Sequence, residues 1–576
     1  DRCNRLSVLY FPFSEATPLK SLLFSPAVVS TIDFIINAGE PNRQGHYAMA
    51  NLRLMHSDLI LDEVDAYDPK ALLAVARVVC ASAMHGRNVI VSSATISPPV
   101  ARLLFQSFEY GMKLRATLTT PGDSSSTAED CSAGVWRQAI IDDSISPTIV
   151  SCPDADAFGE CFDRHIAELV DSMGVLHYRK AELQPVIRSV EGFENAVIKA
   201  GRRMHKRHAW AAPENAAGFT GNISFGLVRM ANIVPAIKIA RSLSDGLDAE
   251  DTAVRVCCYH SQVGLAQRWH IEKTLDEILC RKDADWAERA VENPDVLEAL
   301  QSAVRDGKSN VQIIVVATPV EEIGRDHDFD WGVIEPSSSQ SIVQAGGRIN
   351  RHRLSSVERA NIAVLQFNYL SCLKADNDGR NYSDGMAFQR PGLECAETTK
   401  MYGSDEFDHD LSCLIDWSLI EKNGQIDARL RYQTEHQISL ADNESIRHLT
   451  SSSLRSFLAA DRAAWLMSDL YEDAPLRESG PQDDYFRFAS GKFIKREVSP
   501  SSAFGFKDLV RNPAKIIVRH ENDWLSRSFE EISKIAEHLK ISVEDATLVQ
   551  MRRRDSANYS FDESFGYYQE RSHYYD

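Results

Sequence analysis

Short apolar runs, each bounded by polar residues, recur through the first two-thirds of the chain. HSDLILD (56–62) is followed by PKALLAVARVVCASAM (69–84), whose apolar positions repeat at helical spacing. NVIVSSAT (88–95), PTIVSC (147–152), AVRVCCYH (253–260), VQIIVVAT (311–318), WGVIEPS (331–337) and NIAVLQF (361–367) continue the series. Runs that are continuously apolar are buried on both faces, and strands alternating with helices build parallel sheets. The pattern predicts an α/β protein with two such units in tandem. One, at 1–118, is incomplete; the other, at 146–370, carries an inserted region around 160–220.

Between them TTPGDSSSTAEDCSAG is small and polar, which predicts a linker over 119–145. A second irregular stretch over 371–444 contains NDGRNYSDG and GSDEFDHD. From 445 to 576 the chain reads as a mainly helical C-terminal accessory domain, rich in Arg and aromatic residues. No internal repeat is present.

Composition narrows the class. At 576 residues the chain exceeds one hydrophobic core, and 44% hydrophobic with 25% charged residues is ordinary for a soluble protein. No apolar run is long enough to span a bilayer, so no membrane partner is expected. The eleven cysteines contain no CxxC pair, which argues against a structural zinc or a disulfide framework and for a cytoplasmic location. The net charge of −19 argues against a nucleic-acid partner, but basic clusters stand at GRRMHKRH (201–208), RINRHR (348–353) and MRRR (551–554). Local patches steer ligands more than the total does, and a solvated helix face is the plain alternative for each.

Candidate chemistry begins at LILDEVDAYD (59–68), four acids behind an apolar strand. In Walker-type nucleoside triphosphatases an acid at a strand end holds Mg²⁺ and the next polarises the attacking water. Asp62 and Glu63 fit those roles, and a cation between them relieves their repulsion. VSSATIS then puts Ser93, Ala94 and Thr95 at the end of the neighbouring strand, where α/β ligand sites form. QAGGRINRHR (344–353) supplies Gln344, the Gly346–Gly347 pair, and Arg348 and Arg351 three apart. A helix would turn both guanidinium groups to one face, within reach of a triphosphate. VVATPVEEIGRDHDFD (315–330) ends a strand at Thr318 and carries Asp326 in the following loop.

Together, SSATI, YHSQ, ATPVEEIGRDHDFD and QAGGRINRHR around DEVDAYD resemble the superfamily 2 helicases. More narrowly they resemble the CRISPR-associated helicase–nuclease of type I interference systems. VVSTID (28–33) and SFGLVRMANI (224–233) match further segments of that family, and SSLRSFLAADRAAWLMSDLYEDAPLRES (452–479) resembles its subtype I-F. The resemblance implies two RecA-like lobes and ATP-driven, Mg²⁺-dependent movement on single-stranded DNA. It makes Asp62 the Mg²⁺ ligand, Glu63 the water-activating base and Asp65 a coupling acid. Ser93, Ala94 and Thr95 would link hydrolysis to movement. Thr31, His260, Ser261 and Thr318 would touch the DNA backbone. Asp326, Gln344 and Gly347 would lie at the nucleotide, with Arg348 and Arg351 as arginine fingers. Pro319 and Ala345 depart from the family pattern, where many members have Gln and Arg.

The resemblance also implies partners: an RNA-guided surveillance complex, the adaptation proteins of the system, and phage-encoded inhibitors. The family's nuclease domain adds a further divalent metal. No phosphate-cradling loop precedes Asp62, and SAVRDGKS (302–309) follows a helix, the reverse of the required context. His409–Asp410 is an isolated match to a nuclease dipeptide. These observations predict the downstream piece of a longer protein, inactive alone. A non-catalytic DNA- or protein-binding fragment, or an RNA helicase of the same superfamily, are the alternatives.

Overall fold

Two parallel strands, β1 (Leu59–Asp62) and β2 (Val89–Ser92), lie side by side with Leu59 opposite Val89 and Asp62 opposite Ser92. In this computed structural model the described residues are 25–39, 44–64, 67, 69–93, 96, 98–119, 136–142, 145–173, 178–214, 216, 218–246, 251–322, 324–337, 339–378, 408–410, 421–422, 425–426, 482–498, 506–553 and 558–569. Contacts divide the chain into two units. The first is mainly Asp1–Gly174, the second mainly Val175–Leu414 with Ser479–Asp576.

In the first unit α1 (Gln44–Leu54) precedes β1, α2 (Pro69–Met84) joins β1 to β2, and α3 (Pro98–Thr119) follows. Leu59 and Leu61 alternate inward and pack with Val75, Val78 and Val79 of α2 and Leu103 and Leu104 of α3. Ile60, between them, is 67% exposed. Next come β3 (Trp136–Ile140) and β4 (Thr148–Cys152), an antiparallel pair, and α4 (Ala155–Met173).

This corrects the expected boundary at 146. PTIVSC does not open the second lobe: it pairs with WRQAI, which lies inside the expected linker. The helix after it also stays with the first unit, through Phe105 stacked on Phe158 at 4.6 Å and Arg102 paired with Asp163 at 2.8 Å. A strand with a nearby antiparallel partner needs no crossover helix, and here the two strands form a sheet of their own.

The second unit is an eight-stranded sheet. Its elements are β5 (Lys180–Gln184), α5 (Val190–His208), β6 (Trp210–Ala211), β7 (Asn222–Arg229), α6 (Ile233–Gly246), β8 (Thr252–Tyr259), α7 (Leu265–Leu279), α8 (Trp286–Glu292), α9 (Pro294–Arg305), β9 (Asn310–Ala317), β10 (Trp331–Ile334), α10 (Ser339–Gly346), β11 (Ile362–Leu365), α11 (Tyr369–Asp378) and β12 (Asp408–Asp410). The order is β12-β5-β11-β10-β7-β9-β8, with β6 beside β7 and every pairing from β5 to β8 parallel. Residues 180–211 are therefore part of the sheet and its cover, not an insertion.

Alternate residues of the same strands face opposite layers. Phe225, Leu227, Ile313 and Val315 pack with Ile271, Leu275, Val296 and Leu300, whereas Val228, Val256, Ile314 and Val316 pack with Phe193, Val197, Ile237 and Leu243. Burial on both faces explains why these strands read as unbroken apolar runs. Gly226 is required by contact: a Cβ there would lie 2.0 Å from the Trp331 ring.

The fold class is α/β as expected, but the described C-terminal region is rich in strands. β13 (Glu421–Lys422) and β14 (Gln425–Ile426) form a short antiparallel pair, and β15 (Gln482–Arg487), β16 (Phe493–Val498), β17 (Phe506–Val510) and β19 (Val549–Arg552) form one antiparallel sheet in the order β17-β16-β15-β19. β18 (Ile516–Ile517), β20 (Tyr559–Asp562) and β21 (Gly566–Gln569) form another. In chain order helix α12 (Phe529–Leu539), with the Ser528–Glu531 capping box, and the short α13 (Val543–Ala546) come between β18 and β19. Of the stretch 445–576 expected to be mainly helical, residues 445–481 lie outside the described residues. Between β18 and α12, residues 522–524 run along the open edge of β8: Val256 N–H donates to Asn522 O and Trp524 N–H to Val256 O. That covers an edge strand which would otherwise present unpaired backbone.

Candidate nucleotide and nucleic-acid site

In the first unit the pleat places Leu61 inward and Asp62 outward, at the carboxyl end of β1. The parallel register then brings Ser92 level with Asp62 and Ser93 just beyond the strand end. Glu63 is exposed and has φ 52°, the left-handed region that non-glycine residues seldom occupy. Such strain is retained where surrounding structure imposes it, commonly at functional sites. Two exposed carboxylates at the end of a parallel strand offer the oxygen ligands that Mg²⁺ takes. Thr31 is exposed and precedes a 3-10 turn at Ile32–Phe34. Asp65, Ala94 and Thr95 lie outside the described residues.

In the second unit the loop 318–330 leaves the carboxyl end of β9, meets the ends of β8 and β7 through Thr318–Tyr259 and Glu322–Arg229, and leads into the start of β10. Thr318 ends β9, is 5% exposed, and donates its N–H to Tyr259 O at 3.1 Å. Asp326 accepts from Arg351 Nε at 3.0 Å and lies 2.9 Å from His352 Nε2, with Lys282 paired to it as well. Partial burial works to raise its pKa, but hydrogen bonds from Lys282 and His352 and the neighbouring charges outweigh that and hold the carboxyl well below its usual range. Gln344 is half-buried on α10, and Gly347 is buried in the turn after it.

The arginine pair differs from expectation. Helix α10 stops at Gly346, and Ile349 enters a β-bridge with Phe329, so Arg348 and Arg351 do not share a helix face. Arg348 is buried and donates to the carbonyl oxygens of Glu322 and Arg325. Arg351 is 37% exposed and engages the Asp326 carboxylate. Arg353 pairs with Asp328 at 2.8 Å and Asp330 at 2.7 Å, beside the buried Arg281–Asp330 pair. One stretch of sequence thus supplies two arginines to the architecture and one to the surface.

A family model described as the C-terminal part of the CRISPR-associated nuclease/helicase Cas3 matches residues 222–354, from β7 to the arginine turn. The Cas3 of subtype I-F/YPEST from Pseudomonas aeruginosa is 34% identical over 407 residues, covering 70% of this chain and 35% of that protein. Its counterpart in Pectobacterium atrosepticum is 32% identical over 428 residues, covering 70% of this chain and 34% of that protein. The chain belongs to the Cas3 nuclease/helicase family. It spans about a third of the length of the curated Cas3 proteins it matches. Among solved structures, T. fusca Cas3 with AMPPNP shares 14% identity at TM-score 0.45, covering 91% of this chain and 50% of that one. An RNA-guided surveillance complex before nicking gives 15% and 0.44, covering 96% and 56%.

In this chain His260 is not placed to touch a ligand. Its side chain is fully enclosed, Nδ1 accepts from Gln262 N–H at 3.1 Å, and Nε2 lies 2.7 Å from Phe565 O. Burial pushes its pKa down to about 4 against the pull of that carbonyl, so the ring is neutral. Ser261, beside it, is exposed. GRRMHKRH is largely structural: Arg203 and Arg207 pair with Glu182, and His205 bonds Ser224 Oγ at 2.7 Å. In MRRR, Arg553 pairs with the buried Asp483. His409–Asp410 lies in β12, antiparallel to β5.

The sequence also hid two buried ion networks. Arg229, at the end of β7, pairs with Glu322 and donates to Ser337 Oγ at 2.5 Å and Ser341 Oγ at 2.8 Å, tying the loops after β9 and β10 to helix α10. A charge closing an apolar strand, as in SFGLVR, is the same signal that marks Asp62. His327 is enclosed between Glu321 at 2.6 Å and Asp276 of α7 at 2.9 Å. Both ring nitrogens face carboxylates, so both carry protons.

Burial opposes that charge, but Glu321 and Asp276 outweigh it and lift the His327 pKa to about 9. A pKa raised above the unfolded value stabilises fully below about 6.5 and loses that contribution as pH rises through about 9. The midpoint of urea unfolding should therefore fall more between pH 7 and pH 10 in the native chain than in His327→Gln. Equal falls in both would contradict the charged assignment.

Proposed function

We propose that this chain is the motor portion of a Cas3 protein, coupling hydrolysis of ATP to movement along single-stranded DNA. The reading is carried by one observation: Asp62 and strained Glu63 leave β1 level with Ser92–Ser93 on the adjoining parallel strand. Asp62 would hold Mg²⁺, which supplies charge neutralisation at the phosphates when bound. Glu63 accepts the proton of the attacking water. Arg351, as the exposed arginine, neutralises charge that develops on the phosphoryl group. Ser93, with Asp65, Ala94 and Thr95, couples hydrolysis to movement, while Gln344 and Gly347 line the approach to the nucleotide.

Thr31, Ser261 and Thr318 would hold the DNA backbone. In the full-length protein, single-stranded DNA opened by an RNA-guided surveillance complex would be drawn through and delivered to the nuclease. The I-F relatives support subtype I-F and, with it, the adaptation proteins as partners. Phage-encoded inhibitors remain part of the proposal through the same family.

Backbone contacts make affinity depend on salt. For single strands log K falls with log salt by about 0.7 per phosphate neutralised. Fluorescence anisotropy of a labelled oligothymidylate on the full-length protein should give a negative slope of roughly two or more, equivalent to about three phosphates. A slope near zero, or preference for RNA over DNA of the same length, would contradict the proposal.

A further inference from the structure

The loop His260–Gly264 follows β8 and carries the exposed Ser261, yet its conformation is held from outside the α/β sheet. On one side stands the C-terminal hairpin β20–β21. His260 Nδ1 accepts the Gln262 N–H, so it carries no proton. Nε2 must then be the protonated nitrogen, and it donates to Phe565 O. The next residues complete the strap: Tyr567 N–H donates to Gln262 O at 2.9 Å. Gly566 between them has φ 89°, and a Cβ there would lie 2.8 Å from Gln262 O. Only glycine lets the hairpin approach this closely.

The hairpin is itself anchored. Phe565 and Tyr568 are buried in the layer that holds Val256 and Ile237, and His520 stacks on Phe565 at 5.1 Å. Arg241 of α6 pairs with the buried Asp562 at 2.7 Å and lies over the Tyr568 ring. On the loop's other side, a Cβ on Gly264 would meet Ala546 O and Thr547 Cα at 3.4 Å. Two separate stretches of the C-terminal region therefore enclose one short loop.

We infer that the C-terminal β-region sets the conformation of the 260–264 loop through His260, a positioning residue, and thereby sets how firmly Ser261 holds a nucleic-acid backbone. The inference rests on the nucleic-acid reading above for the role of Ser261, but the mechanical coupling stands apart from it. The neutral imidazole acts by joining two backbone segments, and the C-terminal region becomes a control element for strand affinity.

The test uses the full-length protein with His260→Leu, His260→Gln and Gly566→Val. Amide hydrogen exchange reads the coupling, and anisotropy of a labelled oligothymidylate reads affinity. Losing a buried partner should speed exchange at Gln262 and Tyr567 roughly tenfold or more in His260→Leu and Gly566→Val. Glutamine can both donate and accept, so His260→Gln should stay within about threefold. Affinity should follow the same order, with ATP hydrolysis in the absence of DNA unchanged in Gly566→Val. Normal affinity in Gly566→Val with loss in His260→Gln would overturn the inference, because His260 would then touch the strand itself. Unchanged exchange in both His260→Leu and Gly566→Val would overturn it too. If the native protein binds no oligonucleotide, the nucleic-acid reading fails alone, and exchange still decides the coupling.

Discussion

Glu63→Gln in the full-length protein should lower DNA-stimulated ATP hydrolysis by about 100- to 10,000-fold, the range supplied by a positioned general base. ATP binding should change little, because the carboxamide keeps the shape of the side chain and Asp62 keeps its charge. The substitution should also leave folding intact. Glu63 is exposed, and exposed substitutions usually stay within about 0.5 kcal/mol. Its backbone conformation, φ 52°, is a cost common to both side chains. A single-turnover experiment with radiolabelled ATP separates the steps: binding persists while the cleavage phase disappears. A normal cleavage rate would remove Glu63 from the chemistry.

Arg351→Ala should reduce the rate of hydrolysis by about 1,000- to 100,000-fold, the span attributed to arginine fingers, with no loss of thermal stability. Its bond to Asp326 does not oppose this role. Both side chains are substantially exposed, and exposed pairs are worth about 0–1 kcal/mol, so exchanging the carboxylate for a phosphate costs little. Arg348→Ala should behave differently. Its guanidinium lies buried against the Glu322 and Arg325 carbonyls, and stranding such groups costs about 1–3 kcal/mol. Thermal unfolding beside steady-state kinetics distinguishes the two. An Arg351→Ala protein that hydrolyses ATP normally would show that the exposed arginine is not the phosphate ligand.

These assignments show what local pattern reveals and what it hides. The strands of the second sheet were legible because burial on both faces writes itself as unbroken apolar sequence. That β1 ends at Asp62 was legible from the apolar run before it, but acids at a strand end are also ordinary turn residues, and only the SSAT and QAGGRINRHR segments singled out Asp62 and Glu63. Pairing partners were not: WRQAI alternates weakly, and only contact shows that it claims PTIVSC. RINRHR carries three arginines that look equivalent, yet a helix stop at Gly346 and a bridge at Ile349 send them to different places. His260 was misread for a related reason. Its partner, Phe565, is 305 positions away, a distance no spacing rule covers.

The most direct test of the motor reading is ATP-dependent displacement of a labelled strand from a partial duplex by the full-length protein. The account predicts displacement with Mg²⁺ and ATP, none with ATP withheld, and none in Glu63→Gln. Displacement without nucleotide, or brisk ATP hydrolysis that displaces nothing, would contradict it.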